Sequence, residues 1–248
     1  MFTGIDHLVI AVADPDAAVE ALAATLGLSP GGGGRHEGLG TRNRLVWLGD
    51  TYVELITADD TGLAAASWIG APTLAALDRG GGLATLAIAT DDVRAEVTRL
   101  RARGSGMPDP IDGERTRPDG AVVRWRLSAG ALLGPDRPPF LIDHDPSSAE
   151  WTAADRAARA AGPGRVRVVE IAVGDVAAAT RAALRALDLR FRPSLAGGGA
   201  RDADIGPQVL RYRPRRDRSA PTATIHVSVA GHGPLDATLF GCRWIIDT

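Results

Sequence analysis

One pattern occurring three times constrains this chain more than any other feature. Gly4-Ile-Asp-His-Leu-Val-Ile-Ala-Val-Ala-Asp14, Leu83-Ala-Thr-Leu-Ala-Ile-Ala-Thr-Asp-Asp92 and Val166-Arg-Val-Val-Glu-Ile-Ala-Val-Gly-Asp175 each read as a strand closed by an aspartate. An alanine- and leucine-rich helical stretch follows each one, over about 16–26, 92–103 and 176–187. Asp14, Asp91 or Asp92, and Asp175 stand where a carboxylate N-cap accepts the first free backbone N–H groups. Pro15 suits the first helical turn, and Gly27 and Gly104 suit C-terminal caps.

Further strands follow each helix. In the first copy they are expected near His36, over 44–48 and over 51–57, with Gly49-Asp50 as the hairpin turn. In the second they are 121–127 and 139–143, and in the third 208–212 and 222–229. Gly80-Gly81-Gly82 separates the first two copies; Gly162-Pro163-Gly164 precedes the third, after a helix predicted over 152–161. The fold class is therefore α+β, built from repeated βαβββ units. Units 4–58 and 82–146 form a domain over 1–146. Residues 147–248 hold a linker helix and a third related unit, and its uncovered sheet edge predicts a homodimer.

Alternation gives each strand two faces. Leu8, Ile10 and Val12 suit packing on a helix, whereas Ile5, His7, Val9 and Ala11 point the other way. Tyr52, Glu54 and Ile56 share a face opposite Val53 and Leu55, and Thr224, His226 and Ser228 lie opposite Ile225, Val227 and Val229. A curved sheet with a polar-dotted concave face is a small-molecule cleft.

Several function classes are excluded. All 28 basic residues are arginine, so lysine Schiff-base chemistry and the phosphate-loop lysine are absent. A formal net charge of -2 argues against nucleic acid as the partner. The densest basic stretch, Arg211 to Arg218, reads as a solvated loop. No run is apolar enough to span a membrane, and the N-terminus does not read as a signal peptide. A single cysteine, Cys242, excludes an internal disulfide and reads as buried and inert, so a cytoplasmic setting is expected. Neither a His-Glu-x-x-His helix nor a Gly-x-Ser-x-Gly elbow is present. Trp47 and Trp125 read as core residues rather than ligand stackers, and Arg44, Arg124 and Arg126 as solvated.

Three motifs together resemble the vicinal oxygen chelate superfamily, in its glyoxalase-like domain branch. They are Ile5-Asp-His7-Leu-Val-Ile-Ala-Val, His36-Glu-Gly-Leu-Gly-Thr41-Arg-Asn43-Arg-Leu and Leu48-Gly-Asp-Thr-Tyr-Val-Glu54-Leu-Ile. The blocks Asp119-Gly to Trp125-Arg-Leu and Pro139-Phe-Leu-Ile-Asp143 extend the resemblance to about residue 145. It implies that two βαβββ units pair into a curved half-barrel sheet around a cleft, and that one divalent metal (Zn, Fe, Mn or Ni) is held there by His and Glu from the first and last strands of the two paired units. His7 and Glu54 match the first unit's ligands, with Glu54 also the candidate catalytic carboxylate. In the second unit Thr85 stands at His7's position, and Asp143 is the last-strand candidate, giving the set His7, Glu54 and Asp143. An alternative pairs the first and third units, with Glu170 and His226 joining His7 and Glu54. His36, Thr41, Asn43 and Tyr52 are the expected substrate contacts, and His36 is a further possible ligand. The expected function is metal-dependent lyase, isomerase or dioxygenase chemistry on a small oxygenated metabolite. The alternative is a metal-free binding protein of the drug-resistance or sequestering type, which the gap at Thr85 favours.

Overall fold

The computed structural model describes residues 1–117, 119–217 and 219–247. Arg218, the last residue of the basic stretch, lies outside them. The first unit contributes β1 (Phe2–Ala11), α1 (Pro15–Leu26), β2 (Pro30–His36), β3 (Thr41–Leu48) and β4 (Thr51–Ala58). Helices α2 (Thr61–Ala66) and α3 (Gly70–Leu77) follow. The second unit supplies β5 (Gly82–Thr90), α4 (Val93–Arg101), β6 (Ile111–Thr116), β7 (Val122–Ser128) and β8 (Phe140–His144). The expected caps are present: the Asp14 and Asp92 carboxylates accept from the backbone N–H groups of Asp16 and Ala95, and Gly27 takes the left-handed conformation that ends α1.

The two curved sheets join into a closed eight-stranded barrel, ordered β1-β4-β3-β2-β6-β7-β8-β5. Strand β4 runs parallel to β1 and β8 parallel to β5, while β1 and β5 pair antiparallel between them. The register is that of a pseudo-twofold: Val9 pairs with Thr85 and His7 with Ala87. At the opposite seam, β2 and β6 meet through Arg35 and Thr116. The Gly31–Gly34 run, upstream of the strand expected near His36, is part of β2. A Cβ on Gly33 would lie 2.3 Å from the Asn43 carbonyl oxygen, and one on Gly34 2.5 Å from that of Thr116, so the close approach of the strands requires glycine.

Leu8, Ile10 and Val12 pack outward on α1 and on the rest of the main core, as alternation predicts. Inside the barrel, Val9, Ala11, Ile56, Phe140 and Ile142 form a second apolar cluster. Helices α2 and α3 were not anticipated from the strand pattern; α3 and the residue before it add Ala76 and Ile69 to that cluster. The Asp60 side chain caps α2.

The remainder comprises α5 (Ala153–Ala160), β9 (Gly164–Val173), α6 (Val176–Leu187), β10 (Arg192–Pro193), β11 (Arg201–Ile205), β12 (Gln208–Pro214), β13 (Ala223–Val229), β14 (Leu235–Leu239) and β15 (Cys242–Ile246). They form an open sheet ordered β10-β11-β12-β9-β13-β15-β14. One expectation is corrected here. Strand β12 pairs parallel with β9, as β4 does with β1, so it is the last strand of the third unit. Strand β13, expected in that unit, pairs antiparallel with the other edge of β9, as β5 does with β1, and β15 runs parallel to β13. Strands β13 to β15 are thus a fourth, helix-free unit.

The two sheets share one core, in which Leu8, Val46 and Leu48 belong to the same cluster as Val166, Val169 and Ile225. Gln208 bridges them: its amide oxygen accepts from the Ile5 N–H and its Nε2 donates to Thr51 Oγ1.

Candidate functional site

A small cavity, partly open to solvent, occupies the barrel. Its polar end begins at His7 on β1. His7 Nδ1 lies 2.6 Å from Asp6 Oδ1, and its Nε2 lies 3.5 Å from Glu54 Oε2 on β4. Adjacent strand residues ordinarily face opposite ways, but the β1–β5 register shifts between Ile5 and His7, and this bulge brings Asp6 to His7. Asp6 also meets His144 on β8, whose Nε2 is 3.1 Å from both carboxylate oxygens. Burial acts to raise the Asp6 pKa, but His144 and then His7 outweigh it and hold the carboxyl well below its usual range.

Glu54 is engaged on its other oxygen. Asn43 Nδ2 donates to Oε1 at 2.6 Å, while Asn43 Oδ1 accepts from the Gly34 N–H. His36 Nε2 lies 3.7 Å from the same Oε1, and His36 Nδ1 is 2.9 Å from Thr41 Oγ1. Burial pushes the His36 pKa down, keeping the imidazole neutral. The expected residues His7, His36, Asn43, Tyr52 and Glu54 therefore converge on one cavity. Thr41 supports His36 from behind. Tyr52 stacks on His7 with ring centroids 4.6 Å apart, and burial raises its phenol pKa well above the ordinary value.

Aromatic groups complete the walls: Trp47, Trp68, Trp125, Phe140 and Trp151. Trp47 and Trp125, expected in the core, face the cavity. A closed circuit of contacts runs through one wall. His144 stacks on Trp151 at 3.5 Å, and the Arg159 guanidinium lies 4.8 Å from the Trp151 ring and 4.1 Å from that of Trp47. Trp47 then meets Tyr52 at 4.7 Å, and Tyr52 leads through His7 and Asp6 back to His144. Buried Arg115 braces the β2–β6 seam, donating to the Gly33 carbonyl oxygen at 2.6 Å and pairing with Glu150 at 2.7 Å.

Two ligand expectations are corrected. Asp143 does not face the cavity; its neighbour His144 does. Asp143 accepts from the Val93 N–H at 2.7 Å and from Arg126 at 3.1 Å, and it borders an outer groove. Register gives the reason: Val9 pairs with Glu54 and Ala87 with Phe140, so the counterpart of Glu54 is Phe140, three residues before Asp143. The alternative set also falls. Glu170 and His226 belong to the other sheet, where Glu170 pairs with Arg213 at 2.5 Å and Arg211 at 3.6 Å, and His226 lies 3.5 Å from Asp247. Arg44, Arg124 and Arg126, read as solvated, all make ion pairs, with Asp16, Glu114 and Asp143 respectively.

The glyoxalase-like domain model matches residues 5–187. The chain belongs to the glyoxalase-like domain family, within the vicinal oxygen chelate superfamily. Among solved structures, this glyoxalase-like protein is similar to a hypothetical protein from Staphylococcus aureus, with TM-score 0.80, 16% identity and 98% of each chain covered. That likeness extends the shared fold over both sheets. It also matches methylmalonyl-CoA epimerase from Mycobacterium tuberculosis, with TM-score 0.44, 25% identity, and 58% of this chain and 90% of that one covered. A Streptomyces coelicolor methylmalonyl-CoA epimerase variant in complex with 2-nitronate-propionyl-CoA matches at TM-score 0.42 and 24% identity, over 57% and 97%. No curated protein matches.

Members of the superfamily typically use a divalent metal. The donor set of this glyoxalase-like protein does not fit the four-ligand centre. Two of the four positions hold Thr85, whose buried hydroxyl makes no hydrogen bond, and Phe140, whose ring meets His7 edge-on at 5.4 Å. His36 does not restore the set, because the Asn43 amide nitrogen lies 2.6 Å from Glu54 Oε1 and 3.4 Å from His36 Nε2, on the side a metal would need. Among the described residues, no group of three or more His, Cys, Asp or Glu side chains is arranged to hold a metal ion. No described helix is long and apolar enough to cross a membrane.

Proposed function

We propose that the barrel binds a small oxygenated metabolite in an aromatic-walled cavity, through Glu54, His7, Asn43 and His36, without a four-donor metal centre. One observation carries this reading: the second unit presents Thr85 and Phe140 where the first presents His7 and Glu54. Burying Glu54 costs several kcal/mol unless partners compensate, and the cavity surrounds that carboxylate with hydrogen-bonding groups. The open second sheet, with β10 and β14 at its edges, supports a homodimer as part of the same reading, to be read by light scattering.

The test is elemental analysis of the purified full chain before and after incubation with zinc, iron, manganese and nickel, followed by calorimetric titration with small hydroxy- and keto-compounds. The expected result is substoichiometric metal throughout, and ligand binding that Glu54→Gln weakens. Stoichiometric metal lost in both His7→Ala and Glu54→Ala would replace this reading with the metal-dependent lyase, isomerase or dioxygenase.

A further inference from the structure

Tryptophan is scarce in this chain, yet four of its five copies, Trp47, Trp68, Trp125 and Trp151, line the one barrel cavity. The fifth, Trp244, is fully buried in the other sheet. Filling volume does not require indoles: on the outer face of β1, Leu8 and Ile10 fill the core completely. Aromatic walls add a specific gain for flat π partners. The ring contacts of Trp68 and Trp125 are edge-on, to Phe140 at 5.3 Å and to His36 at 6.1 Å, so neither indole is stacked on another ring in these pairs.

The polar end asks for a hydrogen-bond donor. In the tautomer that donates Nδ1–H to Asp6, His7 Nε2 is a hydrogen-bond acceptor. Glu54 Oε2, also an acceptor, faces it across 3.5 Å, a gap too wide for a good direct hydrogen bond. An O–H placed between these two atoms donates its single proton to one of them or shares it between both. A permanent cation suits the site less well, because Asn43 already engages Glu54 and Arg115 neutralises Glu150.

Building on the binding reading above, we propose that the ligand is a planar aromatic ring bearing a hydroxyl group. The hydroxyl lies at Glu54 and His7, and the ring lies between the tryptophan walls.

The full chain is titrated with phenol, anisole, cyclohexanol and hydroxyacetone by calorimetry and ligand-observed NMR. Phenol is expected to bind about tenfold more tightly than cyclohexanol, which has the donor without the π face, and than anisole, which has the ring without the donor. Glu54→Gln should weaken phenol and leave anisole unchanged. Trp125→Leu, with Trp68→Leu as a second variant should the first fail to fold, should weaken phenol and leave hydroxyacetone unchanged. Equal affinity for phenol and cyclohexanol overturns the inference. Glu54-dependent binding of hydroxyacetone without phenol overturns it while the binding reading stands. Binding of none of the four removes both.

Discussion

Phe140 occupies in the second repeat the register position that Glu54 occupies in the first, and the two approach His7 from opposite sides of β1. Glu54 Oε2 stands 3.5 Å from the imidazole, and the phenyl ring meets it at 5.4 Å. One half of a ligand set has thus become a hydrocarbon wall. Installing the missing donors should reverse this: a Thr85→His, Phe140→Glu double variant is expected to retain stoichiometric zinc after dialysis, where the parent chain does not. Elemental analysis reads the difference, and circular dichroism checks the fold.

Asp6 joins His7 and His144, so removing its charge leaves two imidazoles without their shared acceptor. Asp6→Asn is expected to destabilise the chain by about 3–5 kcal/mol at neutral pH. The folded carboxyl pKa lies below the unfolded value of 3.8, so this contribution is present above that value and fades as pH falls below it. Urea midpoints of parent and variant should therefore differ at neutral pH and draw together in acid.

His36 titrates with the same sign for a different reason. Burial lowers its folded pKa below 6.5, so in the interval below that value the unfolded chain binds the proton more readily. Stability from this group falls as pH drops from about 7 through that interval, and His36→Gln should flatten that part of the profile. Urea midpoints across the interval measure it, and an unchanged slope in the variant would refute the assignment.

The junction between the sheets turns on Gly206. Its φ is +56°, and a Cβ there would lie 2.0 Å from the Thr3 carbonyl oxygen. Gly206→Ala should cost at least about 1–2 kcal/mol from backbone conformation alone, with the clash added to it. A lowered melting temperature with loss of the Gln208–Ile5 amide's exchange protection would show that the two sheets separate at this point.

How far the sequence was legible follows from its periodicities. Strand, aspartate and helix recur with plain alternation, so the repeats, their caps and the facing of His7, Tyr52 and Glu54 were readable. Asp6 was not, because a bulge turns it against the alternation. Nor was the counterpart of Glu54: Asp143 is the acidic residue in the right strand, but pairing of Ala87 with Phe140 sets the register, and pairing is a property of two strands rather than one. Strand β2 was expected near His36, but its start was hidden because four successive glycines carry no side-chain pattern. The fourth unit was hidden because it lacks the helix that marked the others.

The circuit from Asp6 through His144, Trp151, Arg159, Trp47, Tyr52 and His7 returns to its origin. A linear chain of contacts can be cut at one link without disturbing its far end, but a loop transmits each loss in both directions. Paired replacements around it will therefore fail to sum, even between members that never touch. Arg159, which does not itself line the cavity, is thereby tied to how firmly the His7 imidazole is held.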